Sequence, residues 1–226
     1  MDSPDQLPLP FVHRPRFAEI DFLGAPSNAA ARSWLARPGD WPDGRLALWG
    51  AAGCGKTHLL HLWAGHNGAR LVAGPSLTEL SPPTPLALDD ADAAGDEAVL
   101  LHTLNAAAEA RCPVLIAARP PPARWTTRLP DLASRLRAIT AVEIGGAEDS
   151  LLRMLLARLV AERQVRITSA VQDWLLLRLP RSPAVLREAV ARLDHASLAA
   201  SRPVTRAMAR RVLDNLLSVE EAPSDQ

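Results

Sequence analysis

Lysine is nearly absent from this chain: of 25 basic residues only Lys56 is a lysine, and the rest are arginine. Cysteine is scarce as well. Cys54 and Cys112 lie far apart in sequence, which excludes a disulfide framework or a cysteine-rich metal cluster and fits a reducing, cytoplasmic setting. No apolar run approaches the ~20 residues of a membrane span, and the N-terminus lacks the charged region and apolar core of a signal peptide, so no membrane partner is expected. The formal net charge is zero, which argues against a surface devoted to nucleic-acid phosphates and against direct sequence-specific DNA binding. Aromatic residues make up 4% of the chain, and the six tryptophans (Trp34, Trp41, Trp49, Trp63, Trp125, Trp174) are scattered. They read as core or interface residues, with no stacking platform for single strands.

The one lysine stands where lysine and arginine are not interchangeable. Gly50-Ala51-Ala52-Gly53-Cys54-Gly55-Lys56-Thr57 is a complete G-x-x-x-x-G-K-[ST] loop. A compact ammonium on a flexible stem fits between the β- and γ-phosphates of a nucleotide, where a planar guanidinium is too wide. Gly50, Ala52, Gly53, Cys54, Gly55, Lys56, Thr57 and the following His58 are therefore the candidate phosphate-binding residues, with ADP or ATP as ligand. The apolar run 46–49 feeds the loop as a buried strand, and a helix from residue 56 to about 64 leaves it. That places the loop at a helix N-terminus, where free amides and the helix dipole favour phosphate.

Around this motif the chain alternates strands with helices. A helix capped by Ser27 or Asn28 is expected to run to about residue 37. Strands are expected at 70–73, 85–89, 113–118 and 140–144, with a helix over 96–111. Such alternation implies a parallel sheet with right-handed crossovers. Beyond Gly145-Gly146 only helical patterns remain. Leu151, Leu152, Leu155, Leu156, Leu159 and Val160 form one stripe, and Val171, Trp174, Leu175 and Leu179 a second. Two further helices are expected around Leu186, Val190 and Leu193, and around Met208, Val212 and Leu216. Thr168 or Ser169, and Thr205, are their candidate caps. The expected plan is an α/β P-loop domain with a five-stranded parallel sheet flanked by helices (17–146) and a small all-helical lid (147–218). A flexible tail precedes them (1–16) and a disordered one follows (219–226).

A phosphate loop requires a metal partner. Leu86-Ala87-Leu88-Asp89-Asp90 is an apolar strand ending in acid. Asp89 is placed to hold Mg²⁺ together with the Thr57 hydroxyl, and Asp90 to orient or deprotonate an attacking water. His58, His61 and His66 do not suggest a metal site, because no acidic or thiol partner is spaced to complete one.

These residues carry a family resemblance. Gly-Cys-Gly-Lys-Thr-His-Leu-Leu-His at 53–61 resembles the phosphate loop of the DnaA replication-initiator branch of AAA+ proteins. Asp21-Phe22-Leu23-Gly24 with Asn28 is similar to the segment that lies against adenine in that branch, which implies nucleotide contacts from Phe22 and Leu23. Leu129-Pro130-Asp131-Leu132-Ala133-Ser134-Arg135-Leu136 resembles the box holding the family's arginine finger, which implies that role for Arg135. The resemblance covers about residues 17–218. There is room for neither an N-terminal interaction domain nor a C-terminal helix-turn-helix, which narrows it to the short Hda (HdaA) type. These homologues stimulate ATP hydrolysis on a DnaA-type initiator while bound to the sliding clamp of DNA polymerase III. Gln6-Leu7-Pro8-Leu9-Pro10 looks like the clamp-binding pentapeptide, with Gln6, Leu7 and Leu9 as its contacts on an extended host.

The chain departs from the family at both sensors. Ile116-Ala117-Ala118-Arg119 lacks the polar side chain that sensor I places at the end of the fourth strand, unless Arg119 substitutes. At the start of the third lid helix the expected arginine of sensor II is Ala184, flanked by Arg181 and Arg187. The resemblance thus implies firm nucleotide binding with weak hydrolysis of its own. Two other functions stay open at this point: an active ATPase that loads or remodels a partner, and an adaptor for which nucleotide is a structural ligand.

Overall fold

The computed structural model describes residues 22–78 and 84–220, with side-chain surroundings given through residue 216. The chain divides after Gly146 into two compact units.

In the first unit five strands form one sheet: β1 Arg45–Trp49, β2 Arg70–Ala73, β3 Leu86–Asp89, β4 Val114–Ala118 and β5 Thr140–Glu143. They are all parallel, in the order β2-β3-β4-β1-β5. β1 lies between β4 and β5, with Leu48 opposite Ala117 on one side and Val142 on the other. Helices cover both faces, which is why the central strands read as unbroken apolar runs. On one face Leu46, Leu48, Leu115 and Ala117 pack with helices α1 (Pro26–Leu35) and α2 (Lys56–Asn67), through Ala31, Leu59, Leu60 and Trp63. On the other, Ala47, Leu86, Leu88 and Ile116 pack with α3 (Glu97–Glu109) and α4 (Pro130–Ala138), through Leu100, Leu104, Leu132 and Leu136.

The second unit consists of α5 (Asp149–Glu162), α6 (Ser169–Arg178), α7 (Pro183–Ala199) and α8 (Arg206–Glu220). Its core is leucine-rich: Leu155 and Leu156 of α5, Leu175 of α6, Leu186 and Leu193 of α7 and Leu213 of α8 are all buried. Thr205 caps α8 by accepting from the Met208 amide (3.3 Å), as the sequence suggests. Thr168 holds the cap position of α6 without a side-chain hydrogen bond.

The parallel five-stranded sheet and the separate helical lid agree with the sequence expectation. Local boundaries differ in several places, and α3 ends at Glu109, two residues short of the expected 111. The cap of α1 is Ala25, with Pro26 at the first helical position, and the helix ends at Leu35. Asn28 is buried in the first turn, where its Oδ1 accepts from the Ala25 amide (3.0 Å) and its Nδ2 donates to the Leu23 carbonyl (3.0 Å). Ser27 uses its backbone carbonyl to accept from Gly145 (3.0 Å). Helix α2 extends three residues past Ala64, to Asn67, because Gly68 closes it in a left-handed conformation (φ 59°). The Leu129–Leu136 box, read as a motif, is a helix of its own that begins on Pro130.

Candidate functional site

Parallel strands bring several chain segments to one sheet edge, the end at which the strands finish, beside the point where strand order reverses about β1 and β4. The phosphate loop follows Trp49 of β1, Asp89 ends β3, and Arg119 follows Ala118 of β4. Hydrogen bonds tie these segments together. The Gly50 amide donates to the Arg119 carbonyl (3.2 Å), the Ile144 amide to the Trp49 carbonyl (2.8 Å), and the Arg119 amide to Oδ2 of Asp92 (3.3 Å).

Glycine is required at two loop positions. A Cβ at Gly50 (φ 149°) would sit 2.5 Å from the Ile144 carbonyl oxygen. Gly55 caps α2 in a left-handed conformation (φ 110°, ψ 7°) that turns the chain into the helix. Lys56 is 7% exposed, and its Nζ donates to the loop's own carbonyls at Gly50 (2.7 Å) and Ala51 (2.9 Å). Its Nζ also lies 3.9 Å from Cys54 Sγ. The ammonium is thus held inside a ring of peptide groups at a helix N-terminus. This arrangement fits the anionic tail of a nucleotide, which would exchange those carbonyl contacts for phosphate oxygens. Ala52 is exposed on the loop, Gly53 half-buried, and Thr57 exposed on the first turn of α2.

Asp89 is half-buried and accepts from the Asp90 amide through Oδ1 (3.1 Å). Asp90 is exposed and left-handed (φ 46°, ψ 45°), which points the chain into a one-turn helix at Ala91–Ala93. Burial lowers the pKa of His61 on α2, and the Asp89 charge partly opposes the shift, so the two share one neighbourhood. Among the described residues no three His, Cys, Asp or Glu cluster as metal ligands. Asp89 and Thr57 are the residues here that suit Mg²⁺ bound partly through nucleotide oxygens.

Phe22 meets His58 edge-on, with ring centroids 5.2 Å apart and planes at 72°. Its Cε2 would lie 3.6 Å from a Cβ on Gly55. It also borders a cavity of about 570 Å³ between α1 and α2, walled by Arg32, Leu59 and Trp63. The buried Asn28 fixes Leu23 beside it through the Leu23 carbonyl. Phe22 therefore lies beside the loop, against His58 and Gly55.

Arg135 is exposed on the last turn of α4 and lines a separate cavity with Arg45, the first residue of β1. It is at the opposite end of β1 from the phosphate loop. In the second unit Arg181 pairs with Asp149 (3.0 Å), both well exposed, and Arg187 is half-buried in α7. Ala184 is exposed in the first turn of α7. Gln6, Leu7 and Leu9 lie outside the described residues.

Sequence reasoning missed three contributors. Asp92 joins the end of β4 to the segment after β3, and the acid-rich run Asp89-Asp90-Ala91-Asp92 was the available signal. Glu97 accepts through Oε2 from the amides of Arg128 (2.8 Å) and Leu129 (3.1 Å), which anchors the entry to α4. Arg45 is 3% exposed, a charge at the head of an apolar strand.

Comparison with known proteins agrees with this geometry. Residues 149–213 match the family model described as Hda, lid domain. An uncharacterized protein of Haemophilus influenzae is 26% identical over 92% of this chain and 98% of its own length. The chromosomal replication initiator protein DnaA of a Bradyrhizobium species is 28% identical over 92% of this chain and 51% of its own length, so the chain spans about half of that relative. Among solved structures, domain III of the Thermotoga maritima replication initiation protein DnaA superposes with a TM-score of 0.73 at 17% identity. That match covers 90% of this chain and 98% of the domain.

Proposed function

We propose that this chain, whose residues 149–213 match the Hda lid model, is a DnaA-related nucleotide-binding regulator of replication initiation that promotes hydrolysis of ATP held by a DnaA-type initiator. In this reading the loop at Gly50–Thr57 holds ADP or ATP, and Phe22 and Leu23 flank the base. Asp89 and the Thr57 hydroxyl would hold Mg²⁺, which neutralises phosphate charge when bound. Asp90, exposed after β3, is the residue proposed to orient the attacking water. From the sequence, Arg181 or Arg187 is the proposed substitute for the arginine absent at Ala184.

One observation carries the reading: Arg135 stands beside the start of β1, and the phosphate loop follows its end. Five residues of strand at about 3.3 Å each separate the two, which is beyond the reach of one arginine side chain. A guanidinium so placed serves a nucleotide on another molecule. There it would stabilise charge on the γ-phosphate as the bond to the leaving oxygen breaks, an effect worth roughly 10³ to 10⁵ in rate in comparable systems. The clamp tether is the role proposed for Gln6, Leu7 and Leu9.

The test combines sliding clamp on DNA, ATP-loaded initiator and this chain, and follows phosphate release. Arg135→Ala is expected to abolish the acceleration with nucleotide binding intact, and Gln6→Ala with Leu7→Ala to remove its dependence on clamp. Acceleration by Arg135→Ala equal to that of the unaltered chain would refute the assignment. The retained acids Asp89 and Asp90 favour a second reading, an ATPase that remodels a partner. Robust turnover by the chain alone, stimulated by single-stranded DNA, would establish it.

A further inference from the structure

Arg45 is in an unusual position for a charge that cannot be given up. It heads β1, it is 3% exposed, and its guanidinium makes one hydrogen bond, from Nη2 to the Leu104 carbonyl of α3 (3.2 Å). Its Nε is buried with no partner. A buried guanidinium usually has its donors filled or its charge matched, because leaving both undone is costly. Neither is done here. Arg45 makes no ion pair among the described residues, although Asp43 is near enough to favour its charge. Burial disfavours that charge most, and Arg135 adds repulsion.

Arg45 also lines a cavity of about 420 Å³ whose walls are Asp43, Gly44, Arg45, Ala108, Arg111 and Arg135. Its charged lining is three arginines and one aspartate. The arginines come from three separate elements: the head of β1, the residue pair after α3, and the last turn of α4. Arg111 and Arg135 are exposed at the rim and Arg45 forms the buried end, an arrangement that graduates from solvent to a dehydrated donor. Bidentate donors in this geometry match phosphate oxygens.

We propose that Arg45, Arg111 and Arg135 form a second phosphate-binding pocket, at the end of the sheet where β1 begins, which takes the terminal phosphate of a polyphosphate presented from outside the chain. Naming a partner's nucleotide as the source rests on the reading of Arg135 given above; the anion preference of the pocket does not. A structural alternative is concrete: Arg45 could be a strut joining β1 to α3 through the Leu104 carbonyl.

The probe is tripolyphosphate, titrated by calorimetry into the full-length Lys56→Ala chain, whose first phosphate site is disabled. Binding that persists, weakens with added salt, and drops about tenfold or more in Arg45→Met and Arg111→Ala is the expected result. Arg45→Met should melt no lower than its parent without the anion, since it removes an unmatched buried charge. No binding to the Lys56→Ala chain overturns the pocket. So does an Arg45→Met chain that melts lower yet binds as well as its parent, which is the behaviour of a strut. If Arg45→Met both melts lower and binds less, the exposed Arg111→Ala decides: weakened binding upholds the pocket and unchanged binding overturns it. The source is tested separately by phosphate release from initiator-held ATP. A tenfold slower rate with Arg111→Ala assigns the pocket to the partner's nucleotide. An unchanged rate with Arg111→Ala, when that variant has lost its hold on tripolyphosphate, assigns it to free polyphosphate. Should Arg135→Ala leave partner hydrolysis intact while tripolyphosphate binds, the regulatory reading fails and the pocket stands.

Discussion

Lys56 and Arg45 are both buried cations, and they are treated in opposite ways. The ammonium of Lys56 meets two carbonyls of its own loop, while the guanidinium of Arg45 meets one carbonyl and leaves Nε bare. The first was legible in the sequence because seven neighbours within one short loop define its surroundings. The second was not, because its burial arises only when β1, α3 and α4, far apart along the chain, converge. His61 belongs to this scale too. Burial holds its pKa below the ordinary value of 6.5, against a smaller opposing pull from Asp89. The folded chain therefore binds fewer protons at this site than the unfolded chain, so stability falls as pH drops below about 6.5 and the loss levels off below the folded value. The melting temperature of the unaltered chain should fall more between pH 7 and pH 5.5 than that of His61→Gln. Equal falls would remove His61 from the account.

Among the elements, α4 shows how the side chain proposed as the finger can be positioned from a distance. The helix presents Arg135 in its last turn, while its entry is fixed by Glu97, the first residue of α3, which accepts from the Arg128 and Leu129 amides. The side-chain contact of Glu97 with Arg128 is 3.9 Å long and its arginine fully open to solvent, so it contributes little. The backbone bonds are the ones that matter. Glu97→Ala should cost about 1 to 3 kcal/mol, read from the urea midpoint, with faster amide exchange in α4. Glu97→Gln keeps an acceptor and should recover most of the loss. Stability unchanged in Glu97→Ala would show that α4 is held without it, by Leu132, Leu136 and the Thr127 hydroxyl at the Leu129 amide (3.1 Å). The strands were legible because both faces of the sheet are covered, which turns each central strand into a short apolar run. Helix α4 was seen only as a motif, since its nine residues carry two buried leucines and a polar remainder. Strand order was beyond reach, because pairing of β1 with β4 and β5 depends on contacts that no local pattern encodes.

For the whole molecule, the division after Gly146 decides what a bound nucleotide can stabilise. The phosphate loop, Asp89 and Phe22 all belong to the first unit, and Arg181 and Arg187 to the second. A chain of two units need not unfold in one step, so a single melting temperature is not assumed. Nucleotide with magnesium at a hundredfold excess over Kd should stabilise the state that binds it by about 2.7 kcal/mol. For a unit of this size that is a rise on the order of 10 °C in the transition that reports the sheet. Lys56→Ala should erase the rise, because the ammonium that would exchange loop carbonyls for phosphate oxygens is gone. Scanning calorimetry with and without ADP or ATP measures both arms, and it separates two kinds of lid contribution. If Arg181→Ala and Arg187→Ala each leave the rise intact, the loop alone accounts for the affinity. If either halves it, the second unit takes part in holding the nucleotide. A rise as large in Lys56→Ala as in the unaltered chain would mean that the nucleotide is held elsewhere, and the loop at Gly50–Thr57 would lose the role assigned to it.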